Sequence, residues 1–118
     1  MARILIVDDA EFLRVRISKM LIGNGHQVIE ANNGLVAVNT YKTEHPDVVL
    51  MDITMPEMDG LQALKEIRAF DPKAKVVMLT ALGQESVVLE AIKSGARDFV
   101  VKPFEPDRVL NAIRKTLG

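Results

Sequence analysis

The sequence predicts an α/β fold in which five parallel strands are wrapped on both faces by five helices. Five short apolar runs recur along the chain, and four of them contain no polar residue, the composition of a strand covered on both faces. Helix-length amphipathic stretches separate the runs. Glycine, proline and asparagine collect at the joints.

Ile4-Leu5-Ile6-Val7 is the first strand. Leu13, Ile17, Met20 and Leu21 then share one helical face, with Arg14, Arg16 and Lys19 off it, and Gly23-Asn24-Gly25 ends that helix. Val28-Ile29, flanked by Gln27 and Glu30, reads as an edge strand. Beyond Asn33-Gly34, Val38 and Tyr41 mark the second helix, which His45-Pro46-Asp47 closes. Val48-Val49-Leu50-Met51 is the third strand, Leu64 and Ile67 the apolar side of the third helix, and Asp71-Pro72 its end. Val76-Val77-Met78-Leu79 precedes Val88, Ala91 and Ile92 at helical spacing, then Ser94-Gly95. Phe99-Val100-Val101 is the fifth strand. Pro106 suits the first turn of the last helix, whose apolar side is Val109, Leu110, Ile113 and Leu117. Strict βα alternation favours an open parallel sheet with right-handed crossovers. With no linker or low-complexity segment in 118 residues, the prediction is one domain, residues 1–118.

Composition narrows the function. At 48% hydrophobic and 26% charged residues the chain is globular rather than disordered. Fifteen basic against 16 acidic residues leave a net charge of −1, no surplus of cations for a nucleic-acid backbone. No apolar run approaches the roughly 18 residues of a membrane-spanning helix, and Met1-Ala2-Arg3 is not a signal peptide. Absence of cysteine excludes disulfides, thiolate metal sites and thiol nucleophiles, and fits a cytoplasmic protein.

In such folds ligands bind outside the carboxyl ends of the strands. Those ends carry Asp8 and Asp9, Asp52, Thr80 and Lys102. Each has a plain structural role open to it: a helix cap for Asp8-Asp9, a satisfied hydroxyl for Thr80, a surface ammonium for Lys102. Together they do not, because carboxylates around 5 Å apart repel by about 3 kcal/mol per pair at an effective dielectric near 20. A bound cation removes that penalty, and oxygen ligands without nearby His or Cys favour Mg²⁺. An Asp carboxylate in that setting can attack phosphorus, while Mg²⁺, the Lys102 ammonium and the Thr80 hydroxyl neutralise the phosphoryl oxygens. No general acid for a leaving group is evident, so the expected donor is an already activated phosphate.

Four stretches carry a family resemblance: Ile4 to Asp9, Met51 to Gly60 (M-D-I-T-M-P-E-M-D-G), Leu79-Thr80-Ala81, and Ala96 to Phe104 (A-R-D-F-V-V-K-P-F). In that order they resemble the response-regulator receiver domain, and within it the stand-alone chemotaxis regulators. The resemblance implies a flavodoxin-like, doubly wound sheet of order 2-1-3-4-5. It implies Asp52 as phosphoacceptor, and Asp9, Asp52 and the Thr54 backbone carbonyl as direct Mg²⁺ ligands, with Asp8 acting largely through water. Thr80 matches the switch hydroxyl, Phe99 the switch aromatic, and Lys102 the family lysine, its bond to Pro103 cis. The implied partners are a sensor histidine kinase as phosphodonor and a downstream protein, a flagellar switch component, on the face of helix 4, strand 5 and helix 5. Thr54 and Leu82 flank the water route to the acyl phosphate. Leu82 cannot orient water, so slow self-dephosphorylation is expected.

Other readings stay open. A chain ending directly after its last helix suits a stand-alone regulator or a receiver taken from a longer one with an output domain. An aspartyl-phosphate phosphatase of the haloacid-dehalogenase type shares the Asp, Thr, Lys and Mg²⁺, but wants a second Asp where Thr54 stands. A flavin- or nucleotide-binding module wants a glycine-rich turn after strand 1, where Asp8-Asp9-Ala10-Glu11 stands. The expectation is a switch that assists its own phosphorylation without being a turnover enzyme. Met51, Met55, Met58 and Met78 read as packing rather than a soft-metal set, and His26 and His45 as solvated turn residues.

Overall fold

The structure is a computed structural model and describes residues 2–118. The elements are β1 (Arg3–Val7), α1 (Glu11–Gly23), β2 (Gln27–Ala31), α2 (Gly34–Glu44), β3 (Val48–Asp52), α3 (Gly60–Phe70), β4 (Val76–Thr80), α4 (Glu85–Lys93), β5 (Asp98–Val101) and α5 (Pro106–Leu117). The strands form one parallel sheet in the order β2-β1-β3-β4-β5. The flavodoxin-like prediction therefore holds in class and in strand order.

Side-chain alternation along each strand splits the interior into two cores. Leu5, Val7, Val49, Met51, Val76 and Met78 pack under α2, α3 and α4, against Ala37, Leu64, Ile67 and Val88. Ile4, Ile6, Leu50, Val77 and Leu79 face α1 and α5, against Ile17, Leu21, Val109 and Ile113. Each fully buried branched side chain contributes about 1.5–3 kcal/mol of burial free energy. β1, β3 and β4 face both cores, which is why residues 4–7, 48–51 and 76–79 are apolar without a break.

β5 departs from the reading of its sequence. Three consecutive apolar residues suggest a strand covered on both faces, yet β5 is a sheet edge, with Phe99 37% and Val101 36% exposed while Val100 is buried. Asn33-Gly34 is also more than punctuation. Asn33 caps α2, its side chain accepting from the Val36 N–H at 2.9 Å, and Gly34 is the first helical residue. The four methionines pack in or against the core under α2–α4. His45 is exposed, whereas His26 is half-buried and its Nδ1 accepts from the Ala2 N–H at 3.2 Å.

Candidate functional site

β1, β3, β4 and β5 end on the same rim, which gathers residues far apart in sequence. β1 delivers Asp8 and Asp9 immediately past its last residue, β3 ends on Asp52, β4 ends on Thr80, and Lys102 follows β5. Carboxylate oxygens of Asp8, Asp9 and Asp52 all lie within 4.8 Å of one another. Asp8 is buried, Asp52 is 8% exposed, and Asp9 is open to solvent.

Asp8 and Asp9 do not cap α1. The N-cap is Ala10, without a side-chain cap, and Asp8 Oδ1 instead accepts from the Ala10 N–H at 2.8 Å. That bond turns the chain sharply after β1 and holds the Asp8 carboxylate inward. Arg14 braces the turn, donating to the Asp8 carbonyl at 2.8 Å and pairing with Glu30 at 3.0 Å. Asp52 is fixed from behind by α3. The Gly60 N–H donates to the Ile53 carbonyl at 2.7 Å, and a Cβ on Gly60 would collide with the Asp52 carbonyl oxygen. Only glycine lets the start of α3 approach so closely.

Lys102 reaches in from the opposite side, its Nζ 3.0 Å from Asp8 Oδ2 and 3.1 Å from Asp52 Oδ1. The peptide bond to Pro103 is cis, as the resemblance implies. Burial disfavours the ammonium, but its hydrogen bond to Asp8 and its contact with Asp52 outweigh that and raise the Lys102 pKa. Asp52 is raised as well, first by burial and then by the Asp8 charge, with Lys102 pulling the other way. Three carboxyl groups meet one ammonium here, an excess of acidic groups over cations. At this separation each carboxylate pair repels by roughly 3 kcal/mol at an effective dielectric of about 20. An all-oxygen site with that excess fits a hard divalent cation.

Thr80 is 2% exposed and its hydroxyl donates within the loop after β4. It lies 3.0 Å from Gln84 Oε1 and 3.2 Å from the Ala81 carbonyl. The Gln84 amide also accepts from the Ala81 N–H at 2.7 Å and donates to Thr54 Oγ1 at 2.9 Å. Thr54 and Leu82 are exposed, Leu82 at 83%. Phe99 lies on the surface beside a groove that also exposes Leu82, Leu89, Ile92 and Val101 and that reaches Thr80 at its floor. Asp8, Asp9, Asp52, Thr54, Thr80 and Lys102 thus share one rim, with Phe99 at its side. Gln84 escaped the sequence reading, because one glutamine in a polar loop carries no signal until its neighbours are placed.

A parallel α/β sheet with crowded carboxylates, a lysine and a threonine at its carboxyl rim is the architecture of a phosphoryl-signalling domain, and residues 4–114 match the response regulator receiver domain. The chain belongs to that family: it is a receiver domain of two-component response regulators, a class that takes phosphate from histidine kinases and binds Mg²⁺ at an acidic site. It is 59% identical to the chemotaxis protein CheY of Bacillus subtilis over 98% of each chain. A CheX–CheY–BeF3–Mg²⁺ complex from Borrelia burgdorferi contains a chain 37% identical to it, with a TM-score of 0.93 over 98% of this chain and 89% of that one. NtrX of Brucella abortus is 33% identical with a TM-score of 0.93, and there this chain spans 27% of the longer protein. Among the described residues no helix is long and apolar enough to cross a membrane.

Proposed function

We propose that the protein is a phosphorylation-activated switch that accepts a phosphoryl group on Asp52 from the phosphohistidine of a sensor histidine kinase, in the control of chemotaxis. The observation that carries this reading is Asp52 itself. It is the one rim carboxylate that ends a central strand, touches the Lys102 ammonium and lies against two further acids. One of its oxygens attacks phosphorus, the N–P bond of the donor breaks, and the electron pair leaves on the imidazole nitrogen, which takes a proton from solvent. Phosphoimidazole is activated enough that the rim needs no acid of its own. Asp9, Asp52 and the Thr54 backbone carbonyl would hold Mg²⁺, with Asp8 acting largely through water. Bound there, the ion supplies charge neutralisation for the phosphoryl oxygens.

Lys102 holds a second phosphoryl oxygen, and Thr80 donates its hydroxyl to a third. As Thr80 moves, it vacates space beside Phe99, and the ring follows into the groove. Phosphate biases two arrangements by contacting them differently. The exposed apolar residues of α4 and β5, next to α5, are the face offered to a downstream protein, and the full-length identity to CheY supports a flagellar switch component. The switch consumes one phosphoryl group per cycle and is not a turnover enzyme. Thr54 stands where a phosphatase of the aspartyl-phosphate type needs its acid. The match to NtrX supports a second arrangement, the same switch set within a longer regulator.

Intact mass spectrometry after incubation with acetyl phosphate and Mg²⁺ tests the assignment. Wild-type protein should gain a single phosphoryl group and Asp52→Asn none. Labelling that survives in Asp52→Asn would reject Asp52 as the acceptor.

A further inference from the structure

The geometry points to Gln84 as a positioning residue that latches the Thr80 hydroxyl away from Asp52 and so sets how readily the protein adopts its phosphorylated arrangement. This rests on the reading of Asp52 as phosphoacceptor and Thr80 as the switch hydroxyl.

The orientation of the amide follows from its neighbours. The Ala81 backbone N–H can only donate, so the Gln84 atom 2.7 Å away is the oxygen. The same oxygen is 3.0 Å from Thr80 Oγ1, and two acceptors cannot bond without a hydrogen between them. Thr80 is therefore the donor. A threonine hydroxyl has one hydrogen, and Gln84 Oε1 is its nearer acceptor, with the Ala81 carbonyl 3.2 Å away as the competing one. The amide nitrogen then faces Thr54 Oγ1 and donates to it at 2.9 Å.

A single half-buried side chain thus joins the loop after β3 to the end of β4 and the loop that follows it. For Thr80 to donate to a phosphoryl oxygen on Asp52, its bond to Gln84 must break. That bond cannot coexist with donation to a phosphoryl oxygen, so it opposes switching by what it contributes beyond the longer bond to the Ala81 carbonyl. Removing the Gln84 acceptor leaves the hydroxyl only the longer bond to the Ala81 carbonyl and lowers the cost of the switched state. A net hydrogen-bond contribution of ordinary size corresponds to roughly a two- to tenfold change in the equilibrium.

The test is calorimetric titration with beryllium fluoride at saturating Mg²⁺, a phosphoryl mimic that reads the switched state without turnover. The proteins are wild type, Asp52→Asn, Gln84→Ala, Gln84→Met, Thr80→Ala and the Gln84→Ala/Thr80→Ala double variant. Gln84→Met keeps the length of the side chain without either polar atom, so it serves where Gln84→Ala loosens the loop. Both Gln84 variants should bind about two- to tenfold more tightly than wild type. In the Thr80→Ala background the Gln84 substitution should change nothing, because no hydroxyl remains to be released; a merely structural role would persist there. Gln84 variants that bind like wild type or more weakly, or an equal effect without Thr80, overturn the latch alone. Wild-type protein that binds no better than Asp52→Asn overturns the Asp52 reading and the latch with it.

Discussion

Asp52 occupies the end of β3 at an electrostatic cost. Burial and the Asp8 charge raise its pKa above the ordinary carboxylate range, against the pull of Lys102. A carboxyl whose folded-state pKa is raised ionises less readily in the folded chain than in the unfolded one. Its protonated form therefore stabilises the fold fully below the unfolded pKa, and that stability is lost as pH rises through the folded pKa. Asp52→Asn, neutral at every pH, should melt above wild type by roughly 2–6 °C at pH 7 in the presence of a chelator. Scanning calorimetry should show that gap closing as acid protonates the wild-type carboxyl; an Asn variant melting at or below wild type at pH 7 would contradict the assignment of strain. Leu82 sits at the opposite extreme, 83% exposed beside the rim and unable to orient water. Leu82→Glu should shorten the life of the phosphorylated protein several-fold when decay is timed after removal of acetyl phosphate, and an unchanged lifetime would count against Leu82 as the brake. Residue types sufficed to find Asp8, Asp9, Asp52, Thr80 and Lys102, because acids and a lysine at strand ends are conspicuous. Gln84 was illegible, since its role depends on three atoms from two loops.

Among the elements, α2 shows what the pattern of the sequence hides. Val38 and Tyr41 reveal its buried side, and Tyr41 further ties it to the end of α3 through a 2.7 Å bond from its hydroxyl to Asp71. Its start is set by something else. The Gly34 N–H donates to the Met58 carbonyl at 3.1 Å, and a Cβ on Gly34 would collide with that oxygen. The loop that follows Asp52 is thereby docked on the first turn of α2. Gly23, the last residue of α1, has open space where its Cβ would stand. Gly34→Ala should cost roughly 1–3 kcal/mol through overpacking, whereas Gly23→Ala should stabilise by up to about 1 kcal/mol through helix propensity. Urea unfolding of the two variants measures the contrast, and equal effects would mean the Met58 contact yields freely. β5 marks the limit of periodicity at this scale. Three apolar residues in a row describe a buried strand and a half-exposed sheet edge equally well, and only the sheet order separates them.

For the whole molecule, the βα alternation was enough to announce a parallel sheet with helices on both faces, because residues 4–7, 48–51 and 76–79 are apolar without a break while each helix is apolar on one side. The order of strands was not legible from pattern, and came from the four motif stretches instead. What the order achieves is the meeting at the rim of residues from β1, β3, β4 and the end of β5. The ammonium of Lys102 lies 94 residues from one carboxylate it balances and 50 from the other. On a ribosome the acidic rim is made first and its counter-charge last. Any nascent chain that stops short of residue 102 holds Asp8 and Asp52 without that ammonium. Charge balance at the rim is thus tied to completion of synthesis by the order in which the charges are threaded.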